Sequence, residues 1–251
     1  MSENKQIAGG SGDARDEALN ALFNDAADET LTITELPSKG KFYSGFQGVE
    51  IKPLTFLDEQ KILNAKDTKS DIVSKLLEKT IEGVAVDDLL SMDKMFLLMK
   101  VREISYGENY EFNITCPACT SEIKTSLVLS EHLNMTQVPD ELSDPREIDL
   151  PKLKVKAEVR FPRSREEVFL ADAEDIYKNI YRFVVSINGI KDPVFISKAL
   201  KRMHIRDIKK IVSEVGKDEY GVNPRFIFEC PECTHTETMA IPMDVSFFSV
   251  S

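Results

Sequence analysis

All four cysteines of this 251-residue chain fall in two copies of one motif, Cys116-Pro117-Ala118-Cys119 and Cys230-Pro231-Glu232-Cys233. Two thiolates set two residues apart on a tight turn grip one edge of a zinc tetrahedron, with Zn–S near ~2.3 Å, and two such turns close a four-thiolate site. The chemistry this spacing predicts is structural. One Zn2+ per chain would be held by Cys116, Cys119, Cys230 and Cys233, with no coordination position left for water or substrate. A Cys-x-x-Cys pair can also act as a redox dithiol, but that use needs a cysteine activated near a helix N-terminus in a strand–helix–strand setting. Both pairs here lie between strand-like segments, which favours the metal. His235 follows Cys233 by two residues, yet four thiols already fill the shell, so an exposed imidazole is expected. The other histidines, His132 and His204, sit beside no nucleophile motif such as Gly-x-Ser-x-Gly. The acids Asp58, Glu59, Glu166 and Glu167 read as favourable charges in the first turn of a helix rather than as a catalytic carboxylate pair.

The elements that must carry the cysteines repeat along with them. Shifted by 114 residues, Tyr106, Gly107, Asn109, Phe112, Cys116, Pro117, Cys119 and Thr120 fall on Tyr220, Gly221, Asn223, Phe226, Cys230, Pro231, Cys233 and Thr234, eight identities in fifteen positions. Upstream the likeness continues with small changes of register. Thr80-Ile81-Glu82-Gly83-Val84 resembles Ser186-Ile187-Asn188-Gly189-Ile190, and Ile51-Lys52 with Asp58-Glu59 resembles Val159-Arg160 with Glu166-Glu167. The pattern predicts an internal duplication: two strand–helices–hairpin units in an α+β fold, each ending in a knuckle, bridged by one zinc-ribbon-like site. Two units are fewer than a solenoid needs, so a pseudo-twofold pair is expected.

Local signals fill in the units. Leu31 to Glu35 and Val49 to Leu54 read as strands, and Thr55 with Asp58 has the spacing of a capping box, as do Ser164 and Glu167 in the second unit. Helical periodicity covers Leu57 to Lys66, Lys69 to Glu82 and Met92 to Ser105, then Arg165 to Ser186, Pro193 to Met203 and Ile205 to Val215. Hairpins are predicted at Tyr110–Thr115 with Ile123–Leu129, and at Arg225–Glu229 with Thr238–Pro242. Residues 31–129 and 151–251 are therefore the two units, joined by an acidic linker over 130–150. The apolar end at Phe247 and Phe248 must pack on the core or meet a partner.

With 42% hydrophobic residues the chain can bury a substantial core. There is no apolar run of about 18 residues and no signal-like N-terminus, so neither a membrane span nor secretion is expected. The net charge of −11 is concentrated. Residues 1–30 hold seven acids and two bases, and residues 130–150 six acids and one base, leaving the remainder near neutral. Nucleic acid is therefore not expected as a partner, because phosphate binding draws on clustered cations. Lys201, Arg202, Arg206, Lys209 and Lys210 do cluster, and read as a solvated helix surface. Residues 1–30 read as a flexible acidic tail. Within it Leu19, Leu22 and Phe23 recur at helical spacing, as a segment that docks on a partner or folds back on its own chain. Gly40-Lys41 is no phosphate loop, since no earlier glycine is at the required spacing and Phe42 replaces the Ser or Thr for magnesium.

The run Leu36-Pro37-Ser38-Lys39-Gly40-Lys41-Phe42-Tyr43, then Ile51-Lys52-Pro53-Leu54-Thr55 and Asp58-Glu59, resembles the start of a family associated with the baseplate hub and baseplate assembly of T4-type contractile-tailed phages. The likeness is sharpest over residues 31–63. It implies a non-enzymatic structural or assembly role beside other baseplate and tail proteins, in the host cytoplasm during assembly or in the virion tail, with no catalytic residues to carry over. The cysteine knuckles are no part of that resemblance, and zinc rests on their spacing. The alternative is a zinc-ribbon regulator contacting nucleic acid or polymerase. Against it, Ala118, Ser121, Glu122, Glu232 and Thr234 crowd the hairpin tips where such a reader would show basic and aromatic side chains.

Overall fold

The computed structural model describes residues 30–63, 69–132, 135–217, 219–243 and 245–248, with Arg15 and Glu17; Leu19, Leu22 and Phe23 lie outside these residues. In the first half the chain runs β1 (Leu31–Ile33), β2 (Val49–Ile51), α1 (Phe56–Leu63), α2 (Lys69–Thr80), β3 (Ile81–Glu82), α3 (Ser91–Tyr106), then the hairpin β4 (Asn109–Thr115) and β5 (Glu122–Val128). Between the halves come α4 (Leu129–His132) and β6 (Met135–Thr136). The second half runs β7 (Arg146–Asp149), β8 (Lys156–Val159), α5 (Ala173–Asn179), β9 (Val184–Ile187), α6 (Pro193–Arg202), α7 (Ile205–Val215), β10 (Gly221–Val222), and the hairpin β11 (Arg225–Glu229) and β12 (Thr236–Ala240).

Each half therefore opens on an antiparallel three-stranded meander, β1-β2-β3 or β7-β8-β9, with helical segments inserted before its third strand. Each then passes through helix to a hairpin. In β2, Val49 and Ile51 face inward and Glu50 outward, the period-two pattern of a half-buried strand. Helix α3 buries the consecutive residues Phe96, Leu97, Leu98 and Met99, as a helix enclosed on several sides must. It stops at Gly107, whose φ of 87° suits glycine. Helix α7 is one-sided, with Ile208, Ile211 and Val215 buried beside the second meander.

The cores do not divide at the midpoint of the chain. The larger gathers β2, α2, α3 and both hairpins, so Phe226, Phe228 and Ile241 share a cluster with Leu97, Tyr110 and Phe112. The smaller lies under β7-β8-β9 and includes Phe183, Ile196 and Ile211. A third cluster of Leu90, Val138, Phe161 and Tyr220 joins them, with the Phe42 ring tilted against Phe161 at 5.7 Å.

Several local expectations are corrected. Residues 130–150, expected as an acidic linker, carry β6, paired with β10, and β7, where Arg146 and Ile148 turn inward and Glu147 and Asp149 outward. Of the six acids in this stretch, Glu147 and Asp149 form the solvent face of β7, while the Asp144 side chain is buried in an ion pair with Arg163. The single helix expected over 165–186 is broken into a 3-10 segment at Ser164–Leu170, helix α5 started by the Asp172 side chain accepting from the Asp175 amide at 2.8 Å, and strand β9. The β-branched Val184 and Val185 fit the pleated sheet better than a helix interior. The capping box Thr55–Asp58 forms as expected. In the second half, by contrast, the cap is made one residue earlier, the Glu166 carboxylate accepting from the Arg163 amide at 3.1 Å. Phe247 and Phe248 are buried in the larger core, and Tyr106 donates to the Phe248 carbonyl at 2.7 Å, so the apolar end packs inward rather than waiting for a partner.

Candidate metal centre

Both cysteine motifs cap hairpins whose inward faces are anchored in the core. Along β4, Tyr110 and Phe112 are buried, and along β11, Phe226 and Phe228. Phe112 and Phe226, matched across the repeat, meet edge to face at 5.7 Å. The knuckles above them are built identically. The Cys116 amide donates to the Ser121 carbonyl and the Thr120 amide to the Cys116 carbonyl, each at 2.9 Å. In the second knuckle Cys230 donates to His235 and Thr234 to Cys230, again at 2.9 Å. Thr120 and Thr234 take φ of 62° and 59°, a left-handed turn in which each hydroxyl donates to the preceding cysteine carbonyl at 2.7 Å. These bonds aim both thiols of a turn the same way.

The four sulfurs lie within 4.8 Å of one another. The short contacts run crosswise between knuckles: Cys116 Sγ to Cys233 Sγ is 3.7 Å, and Cys119 Sγ to Cys230 Sγ is 3.7 Å. A disulfide would need about 2.05 Å. The edge of a tetrahedron with Zn–S of ~2.3 Å is about 3.8 Å, so the donor set fits a four-thiolate metal site. Cys116 and Cys230 are buried, Cys119 and Cys233 partly exposed. Hydrogen bonds from Ser121 lower the Cys119 thiol to about 6. At Cys233 the hydrogen bond involving His235 acts downward, but burial and the three neighbouring sulfurs push the thiol up to about 12. Crowded thiolates need a cation to ionise together.

The His235 ring lies 3.4 Å from the Glu237 carboxylate. His204 caps α7, its Nδ1 accepting from the Arg206 amide at 3.1 Å, and the side chain of His132 lies outside the described residues. The first-turn acids are engaged in structure. Asp58 meets Thr55 and Lys79, Glu166 takes a two-pronged grip from Arg160 at 2.7 and 2.5 Å, and Glu167 reaches back to the buried Lys94 at 2.6 Å.

Sequence reasoning missed one buried group, Asp93 in the first turn of α3. One of its oxygens accepts from the Ser38 amide at 2.9 Å and the other from the Tyr43 hydroxyl at 2.6 Å, which itself accepts from the Leu90 amide at 2.9 Å. Burial raises the Asp93 carboxyl against the pull of these hydrogen bonds, and burial with the Asp93 charge drives the Tyr43 phenol far up. With both oxygens occupied and no exposed surface, Asp93 ties the Leu36–Tyr43 run to the start of α3. The signal lay in Ser38 and Tyr43 of the Leu36–Tyr43 run, but nothing local linked them to a helix 55 residues on. The lysines of that run hold the other side: Lys39 pairs with Asp140 at 3.2 Å, and Lys41 donates to the Asp140 and Leu142 carbonyls at 2.6 Å.

Fold and site together define a mixed α and β protein whose two hairpin ends meet at four cysteines able to hold a metal ion. The family model described as T4 bacteriophage base plate protein matches residues 29–249, nearly the whole chain, and the protein belongs to that family. Neither the curated proteins nor the solved structures contain a match to it. Among the described residues no helix is long and apolar enough to cross a membrane.

Proposed function

We propose that this chain is a non-enzymatic structural or assembly protein of the phage tail baseplate, at the hub, locked by one structural Zn2+ and acting through contacts with other baseplate and tail proteins. The family match carries the baseplate role. The zinc reading is supported by two 3.7 Å sulfur contacts at the tetrahedral edge length, from four thiols that would fill the shell. Assembly would proceed in the host cytoplasm, with the protein retained in the virion tail. The halves are the product of an internal duplication. What supports this is the shared order of meander, helix and hairpin, and the pairing of Phe112 with Phe226 and of Cys116 with Cys233 and Cys119 with Cys230, as a twofold axis through the metal requires.

Metal analysis of purified protein should return about one zinc per chain. Because metal binding at such sites is coupled to folding, Cys116→Ser and Cys230→Ser should each loosen both knuckles. Protein free of metal with unchanged thermal stability would remove the zinc reading. Tagged protein expressed during infection should co-purify with baseplate components, and recovery of duplex DNA in their place at physiological salt would favour the regulator.

A further inference from the structure

The four thiols at the hairpin tips are also arranged to react with one another. Each of the two 3.7 Å contacts joins a partly exposed cysteine of one knuckle to a buried cysteine of the other: Cys119 faces Cys230, and Cys233 faces Cys116. In thiol oxidation the accessible sulfur meets the oxidant first, and a second thiol within reach resolves the product. Both pairs therefore hold an entry sulfur and a resolving sulfur. Their members stand 117 and 111 positions apart in the chain, so a bond in either pair ties the first half to the second.

Contacts that involve no sulfur keep the pairs facing one another. Phe112 of β4 meets Phe226 of β11 edge to face at 5.7 Å, and the Tyr110 hydroxyl of the first hairpin donates to the Pro242 carbonyl just past the second at 2.9 Å. A crosswise disulfide needs the two tips to close by only about 1.7 Å, from the present contact to the S–S bond length. A disulfide within one motif, Cys116 to Cys119 or Cys230 to Cys233, has to close inside a turn that the Thr120 and Thr234 amides already fix by donating to the Cys116 and Cys230 carbonyls.

We propose that peroxide converts these thiols into two crosswise disulfides, Cys119–Cys230 and Cys116–Cys233, a covalent staple that holds the hairpins of the two halves together without a metal. The proposal rests on the same four thiols as the metal reading. In the first pair the Cys119 sulfur attacks hydrogen peroxide: an S–O bond forms, the O–O bond breaks, and one water leaves a sulfenic acid behind. The Cys230 thiol then attacks that sulfur, so that the S–S bond forms, the S–O bond breaks and a second water leaves. Two thiols have given up two electrons and one peroxide has taken them. Cys233 and Cys116 react in the same way with a second peroxide. The thiol pool of a reducing cytoplasm keeps both pairs open, and a particle outside the cell has no such pool.

Full-length protein of measured metal content, treated with hydrogen peroxide in the presence of EDTA, alkylated, digested without reductant and mapped by mass spectrometry, tests the staple. Peptides joined through Cys119–Cys230 and Cys116–Cys233 should account for most of the disulfide in the monomer. The thermal midpoint of the oxidised protein should exceed that of reduced, metal-stripped protein by about 5 °C or more, and a reductant should reverse the gain. In Cys230→Ser the sulfenic acid at Cys119 has lost its resolving thiol, and dimedone should capture it at least about fivefold more than in the unaltered protein. Disulfides within the motifs, bonds between molecules, sulfinic or sulfonic acids in place of disulfides, or equal dimedone capture in both proteins overturn the proposal. Crosswise disulfides in protein purified without metal uphold it and remove the zinc reading, whereas one zinc per chain with disulfides within the motifs does the reverse.

Discussion

Asp93, Tyr43 and Ser38 show what a single buried carboxylate does in this protein. It joins the loop after β1 to the start of α3 through two short bonds, and Tyr43 passes the tie on to the Leu90 amide. Asp93→Ala leaves the Ser38 amide and the Tyr43 hydroxyl buried without partners, and should cost roughly 2–4 kcal/mol in urea unfolding at an unchanged m-value. Tyr43→Phe deprives both the Leu90 amide and one Asp93 oxygen and should cost about 1–3 kcal/mol. Wild-type stability in either variant would show that water replaces the tie. Ser38 and Tyr43 stood out in the sequence as parts of a recognisable run, but their purpose did not, because the carboxylate they serve is a distant residue with no pattern of its own.

At the scale of elements, the turns after the third strand of each meander differ in a way only packing reveals. Gly83 and Gly189 occupy matching positions in the repeat, with φ of 108° and 78°. A Cβ at Gly83 would fall 2.4 Å from the Gly48 carbonyl oxygen, whereas one at Gly189 meets nothing within 4 Å. Gly83→Ala should therefore cost more than about 2 kcal/mol, since backbone must shift, and Gly189→Ala only about 1 kcal/mol of left-handed strain. Equal effects on the thermal midpoint would show that the first turn can open. Helix α7 was legible to the residue because Ile205–Val215 has one apolar stripe. The segment 165–186 was not, because its helical and extended parts share an apolar density whose period changes within a few residues.

For the whole molecule, the halves are held by their middle and by their ends. In the middle, Lys94 of α3 pairs with Glu167, the Ser164 amide donates to the Leu89 carbonyl at 2.8 Å, and Arg165 pairs with Asp88. At the ends both hairpins share one core. If the four cysteines hold the proposed zinc, a chelator should raise hydrogen exchange in β4, β5, β11 and β12 together while β7, β8 and α7 keep their protection; loosening of one hairpin alone would mean the knuckles are independent. Acid should act through the ion pairs. Burial alone would raise the carboxyls of Glu166 and Glu214, but Arg160 at the first, and Lys210 with Arg146 at the second, outweigh it and hold both below the ordinary range. A carboxyl depressed by folding adds stability above its unfolded value of about 4.3, and that stability is lost as pH falls through the lower folded value. The protein should thus lose stability below about pH 4, and Glu166→Gln should flatten that slope while lowering stability at pH 7.

The sequence alone determined the two matched cysteine motifs, the hairpins that carry them, the family likeness of the Leu36–Tyr43 run and the repeat of short motifs, because each is written in the types and spacing of neighbouring residues. Only the tertiary structure decided that Cys116 faces Cys233, that both hairpins share a core with α3, that the acidic stretch 130–150 contains strands, and that Phe247 and Phe248 pack into the larger core. The reason is physical. Local spacing sets which way a side chain leaves its own helix or strand, but burial and charge pairing depend on what arrives from far along the chain.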